Sequence, residues 1–171
     1  VRAKLLAVSA DDNRFAEMLA GPLYESNPDT ARFILTSLAT PSVTKEMKGL
    51  WERVPSGTYV WTIEHVLPQG KNLPDAWVTM IAGGDKALAA QIQNDHVHEL
   101  GNLTLTGYNS TLSNLSFQEK KLRKDKDGNS VGYLNGLNIN SDIASRNDWD
   151  EAAITARTAK LVKEVIQLFT L

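Results

Sequence analysis

The chain has 171 residues, 42% of them hydrophobic and 22% charged, with a formal net charge of −2 and no cysteine. That length suits one well-buried core, or a core with a helical annex, and no apolar run approaches the span of a bilayer. The lack of cysteine excludes disulfides, thiol nucleophiles and cysteine-based zinc sites, and fits a cytoplasmic protein. Near-neutral charge does not advertise nucleic-acid binding, so any such contact must come from local clusters. Arg2 and Lys4 flank only a short apolar stretch, which is not a secretory pattern. The start at Val1 rather than Met is what an excised domain or processed fragment would show.

Residues 1–55 read as a helical N-terminal segment, a connector without reactive side chains. A helix over residues 14–20 follows a cap at Asp11 or Asp12 and stops at Gly21-Pro22. Asp29 is set to cap a second helix over residues 30–38, halted near Pro41. Ser42 or Thr44 starts a third, with Met47, Leu50 and Trp51 at helical spacing. Pro55-Ser56-Gly57 then signals a turn. Residues 58–63, rich in β-branched and aromatic side chains, predict a strand that ends at Pro68 and Gly70.

Further helices are expected over residues 75–81 and from Asp85 to about Gln93. Residues 103–106 read as a second short strand, bracketed by Gly101 and Gly107. Residues 112–124 are expected to be mostly helical and to bury Leu112, Leu115 and Leu122, and Asp127-Gly128-Asn129 is a loop. Asp148 and Glu151 resemble a capping box opening the last helix, whose stripe of Ile154, Leu161, Val165 and Leu168 closes on the core. The pattern as a whole predicts an α+β, mostly helical fold, with residues 56–171 as its main domain.

Two stretches carry the chemistry: Ile63-Glu64-His65-Val66-Leu67-Pro68-Gln69, and His98-Glu99-Leu100-Gly101-Asn102-Leu103-Thr104-Leu105 closed by Asn109. His65, at a strand end, has the near-neutral pKa of a water-activating base. Glu64 offers a hard oxygen ligand, and strand alternation sets it on the opposite face, as in-line displacement at phosphorus favours. Asn109 offers a second, neutral oxygen, and Asn102 can bond backbone near His65 to fix the imidazole. Two protein ligands with water and phosphate in the remaining positions is how Mg²⁺ is usually held.

Each residue also has a plainer reading. The Glu-His pair is surface polarity, the asparagines are turn residues, and His96 and His98 are exposed at a helix end. Lys120, Lys121, Arg123 and Lys124 form a basic run just after Asn109. They read either as a solvated helix face or as DNA contacts.

In this order, Glu-His-Val-Leu-Pro-Gln, Gly-Asn-Leu-Thr-Leu and Asn109 resemble the HNH, or His-Me finger, nucleases. The likeness is closest to the C-terminal domain of GmrSD-type modification-dependent restriction enzymes and their SspE-type phage-defence relatives. It is strong over residues 60–125 and weaker through Leu134-Asn135, Trp149 and Arg157. The resemblance implies a small ββα-metal core among helices, with His65 as general base and Asn102 positioning its loop. It assigns the divalent metal, Mg²⁺ or Mn²⁺, to Glu64 and Asn109, and an auxiliary role to His98. Glu stands at 64 where many HNH nucleases have Asp, and no zinc knuckle is present.

The expected function is therefore metal-dependent cleavage of DNA, as the effector end of a bacterial, cytoplasmic defence protein. A sensor or NTPase-like domain, in the same protein or a partner subunit, is expected with it. The rival expectation is a catalytically inactive DNA-binding or oligomerisation domain.

Overall fold

A computed structural model describes residues 4, 11–43 and 49–169. Asp11 opens the first helix, α1 (Asp12–Ala20), by accepting from Arg14 N at 2.8 Å, and Gly21 closes it. A single turn, α2 (Leu23–Ser26), leads into α3 (Pro28–Ala39). The cap of α3 is Asn27, which accepts from Thr30 N at 2.9 Å. Asp29, expected in that role, lies in the first turn, where its charge suits the helix dipole. The third helix expected from Ser42 or Thr44 falls largely outside the described residues. Ser42 ends a 3₁₀ turn, and Leu50 and Trp51 lie in a turn.

Strand β1 (Thr62–His65) pairs antiparallel with β2 (Leu103–Thr106), Thr62 opposite Thr106 and His65 opposite Leu103. β1 starts later than Thr58 because residues 58–60 bond back to residues 52–54 instead: Thr58 O accepts from Val54 N, and Val60 N donates to Glu52 O. It ends at His65, short of Pro68. Between the strands run α4 (Asp75–Ala82) and α5 (Lys86–His96); Asp85, where the second of these helices was expected to begin, is its cap.

After β2 the expected single helix over residues 112–124 is broken at Ser113, whose φ of 38° no helix can hold. The pieces are α6 (Asn109–Leu112) and α7 (Phe117–Leu122), and a Ser116–Glu119 capping box starts the second. α7 turns Phe117 and Lys120 inward, which leaves Leu122 exposed rather than buried. A short helix, α8 (Ser141–Ser145), precedes the long α9 (Glu151–Leu168). The cap of α9 is Asp150, accepting from Ala153 N at 2.8 Å. Asp148 pairs instead with Arg146 at 3.5 Å, because the intervening Trp149 is fully buried.

Among the described residues, nine α-helices thus surround one two-stranded sheet: a mostly helical α+β fold. Two apolar clusters hold it. One joins Leu19, Ile34 and Leu35 to Leu103, Leu105 and Leu161; the other gathers Val66, Trp77, Phe117, Tyr133, Trp149 and Ile154. α9 contributes to both, Ile154 to the second and Leu161 and Val165 to the first, while its last stripe residue, Leu168, is exposed.

α9 reaches the sheet because Gly101 has no side chain: a Cβ there would lie 2.2 Å from Ile154 O and 2.3 Å from Thr158 Oγ1. Gly101→Ala is therefore expected to push α9 off the turn that precedes β2 and to cost about 3 kcal/mol or more. Urea unfolding of the two proteins measures this; equal midpoints would show that the helix yields without cost.

Candidate active site

Alternation along β1 turns Ile63 and His65 to one face of the sheet and Thr62 and Glu64 to the other. On the first face His65 is only 6% exposed. Tyr24 of α2 meets its ring edge-on at 4.6 Å between centroids, and its Nε2 lies 3.3 Å from His98 Nδ1. The contact requires a hydrogen on one nitrogen and a lone pair on the other, so the two rings take complementary tautomers. Burial, reinforced by His98 and then Lys120, lowers the His65 pKa from 6.5 to about 3. The imidazole is neutral at ordinary working pH.

On the second face Glu64 is 2% exposed and pairs with Lys120, itself 0% exposed. Lys120 Nζ donates to Glu64 Oε1 at 2.6 Å and to the carbonyls of His65 and Val66 at 2.8 and 3.2 Å. The Tyr133 hydroxyl donates to the same carboxylate oxygen at 3.3 Å. Burial raises the Glu64 carboxyl and lowers the Lys120 ammonium, and their mutual attraction opposes both shifts.

Glu64 and His65 line a cleft of about 690 Å³ together with Asn109, the first residue of α6. Tyr59, Gln69 and Asn114 are among its other walls. Asn109 Nδ2 donates to Ile63 O at 2.7 Å, which orients the amide and leaves Oδ1 for a different partner. Asn102 is absent from the cleft lining and fully buried. Its Oδ1 accepts from Leu67 N and Trp149 Nε1, and its Nδ2 donates to Leu67 O and Val97 O. It fastens the loop that follows His65. Histidines 96 and 98, exposed in the plainer of their two readings, are both half-buried, and His96 lies 2.9 Å from Glu99.

Residues 9–164 match the family described as GmrSD restriction endonucleases, C-terminal domain. The chain belongs to this family. No curated protein sequence is significantly similar to it. Membership makes it a nuclease domain of the restriction-endonuclease type, with DNA as the substrate. Among the described residues, no helix is long and apolar enough to cross a membrane.

The geometry of this GmrSD-type domain divides the basic run. Lys120 is no surface cation, because the face of α7 it shares with Phe117 packs inward and its ammonium meets Glu64. Lys121 is half-buried and donates to Arg146 O at 2.5 Å. Arg123 and Lys124 remain exposed.

Sequence reasoning missed that Lys120 belongs to the site. The available signal was its spacing, three residues after Phe117 on a capped helix. Arg157 carries a similar signal, as a charge between Ile154 and Leu161 on the apolar stripe. It is buried, and bonds the carbonyls of Gly101, Leu103 and Ile139.

The depressed His65 pKa predicts a pH effect of definite sign. Between pH 6.5 and about 3 the unfolded chain binds a proton at His65 that the native chain refuses. Its contribution is present above that window and is lost as pH falls. From pH 7.5 to 4.5 the stability of the wild type relative to His65→Gln should fall by about 2–3 kcal/mol. Denaturant titration at the two pH values measures this, and parallel losses would mean that His65 titrates as in a free chain.

Proposed function

We propose that the domain cleaves DNA phosphodiester bonds by an HNH-type mechanism, with His65 as general base and Glu64 and Asn109 as ligands of a divalent cation. The observation that carries this reading is that these three residues, from the end of β1 and the start of α6, line one cleft.

The donor set fits Mg²⁺ or Mn²⁺. Glu64 Oε1 is engaged by Lys120 and Tyr133, so Oε2 is the carboxylate oxygen left to offer. Asn109 offers Oδ1, because its Nδ2 is held by Ile63 O. Both are hard oxygens, and among the described residues no three His, Cys, Asp or Glu side chains gather into a closed cage. A site of few protein ligands, completed by water and phosphate oxygens, is the usual form for Mg²⁺. When bound, the cation would stabilise charge on the leaving oxygen of the phosphodiester.

His65 takes the proton of the attacking water. With a hydrogen on Nε2 shared with His98, its Nδ1 carries the lone pair that this role needs, and His98 acts by orienting the ring. A pKa near 3 makes a weak base in the free protein, but a phosphate anion beside the ring raises it toward the useful range. Asn102 holds the loop behind His65 and takes no proton. Of the basic run, Arg123 and Lys124 are the residues still placed for DNA.

In this reading residues 1–55 connect the nuclease domain to a sensor or NTPase-like domain, in the same bacterial, cytoplasmic defence protein or in a partner subunit.

His65→Gln should lower plasmid nicking by about 10²–10⁴-fold while duplex binding persists. Nicking within a few-fold of wild type would remove His65 from the role of base. If the wild type binds duplex and never nicks with Mg²⁺ or Mn²⁺, the domain is a DNA-binding module instead.

Asn109→Ala should shift the metal dependence of nicking to higher Mg²⁺ or Mn²⁺, with partial rescue at high metal. EDTA should abolish wild-type nicking, and full activity in excess EDTA would refute a metal mechanism.

A further inference from the structure

Phosphate contacts by lysine and arginine supply much of a protein's affinity for DNA. Yet among the described residues that line the cleft there is neither. One wall of the cleft suggests where the missing cation is. Residues 52–60 double back as a short arm: Val54 N donates to Thr58 O at 2.8 Å, Val60 N to Glu52 O at 2.9 Å, and Arg53 and Tyr59 pair as an isolated antiparallel bridge. Gly57 forms the tip, with φ at 87°. Val54, Thr58, Tyr59 and Val60 all line the cleft.

The arm is anchored from outside itself. Arg32 of α3 is 6% exposed; its Nη1 donates to Trp61 O at 2.6 Å and its Nη2 to Leu50 O at 2.7 Å. One guanidinium thus ties together the two chain segments at the arm's base. The same group lies 3.5 Å from the centroid of the Tyr59 ring. Burying this cation carries a desolvation cost, since its Nε has no hydrogen-bond partner. A loop with no work to do has little use for so expensive an anchor.

Arg53 sits over the same ring, 3.8 Å from the centroid, and is exposed. It donates Nη1 to Gly57 O at 2.6 Å and Nη2 to the Tyr59 hydroxyl. A guanidinium has further N–H donors in a rigid fork, and here they are held in one orientation against Tyr59, which lines the cleft that Arg53 itself does not. An oriented arginine at a cleft rim, with donors to spare, suits a phosphate.

We propose that the 52–60 arm grips the DNA backbone, with Arg53 binding a phosphate next to the one presented to the cleft. The proposal rests on the nuclease reading only for the choice of duplex DNA as the ligand.

The test is anisotropy of a short labelled duplex with the 171-residue chain over a series of salt concentrations, for wild type, Arg53→Gln and Arg53→Lys. Losing one phosphate contact should flatten the log–log salt slope by about 0.9 in Arg53→Gln and raise Kd several-fold. Arg53→Lys keeps the charge, so its slope should match wild type even though the fork is lost. An unchanged slope in Arg53→Gln, equal losses in both variants, or a wild type without affinity for the duplex would each overturn the grip. Failure of the nuclease reading has a different signature: an Arg53-dependent slope in a chain that never nicks. Nicking by a chain whose slope ignores Arg53 refutes the arm alone.

Discussion

The Lys120 ammonium meets three oxygens, those of Glu64, His65 and Val66, in a place that water does not reach. Burying a carboxylate and an ammonium costs several kcal/mol for each ion, and their attraction roughly offsets that cost when the geometry is good. The pair therefore contributes little net stability. What it contributes is position: it joins α7 to the last residues of β1, so that strand and helix meet in one register. Gly132 keeps that joint compact, since a Cβ there would lie 2.0 Å from Lys120 O. The carboxylate that faces the cleft is held in place by the helix behind it.

A second set of buried polar bonds fixes the loop that leaves the strand. Asn102 uses both ends of its amide on Leu67, Val97 and Trp149, and Arg157 binds the carbonyls on either side of Asn102. Such networks specify a unique arrangement when every member is satisfied. They connect β1, the turn before β2 and α9 without a disulfide or a zinc knuckle. His65 depends on this frame and on Lys120, because Val66 N donates to Asn102 O and Glu64 bonds Lys120, while its own ring rests on Tyr24 and His98. The arm of residues 52–60 shows the same use of a buried arginine, with Arg32 fastening its base.

Much of the molecule was legible along the chain, for local reasons. The cap at Asp11, the helix start at Asp85, the strand of residues 103–106 and the glycines around it all act within a few residues, where composition and spacing speak directly. The errors share a cause. Asp148 looked like a cap until Trp149 had to be buried, and residues 58–60 looked like strand until their backbone found partners in residues 52–54. Leu122 looked like core until α7 turned Lys120 inward. In each case a contact distant in sequence, or a burial requirement, outweighed the local pattern.

The sequence by itself determined the kinds of group available for chemistry and their order: an acid beside a histidine at a strand end, then two asparagines around a second strand. It also determined the mostly helical α+β class, because hydrophobic period and capping residues are local properties. Only the tertiary structure decided which of these groups share a cleft and which are fasteners. Glu64, His65 and Asn109 line the cleft, whereas Asn102 turns entirely inward. It alone decided that Lys120 is an internal partner of Glu64 and not a surface charge. Lysine's long stem can carry its ammonium either to solvent or to a buried carboxylate. The choice rests on which face of α7 packs, and that is settled by residues far away in the chain.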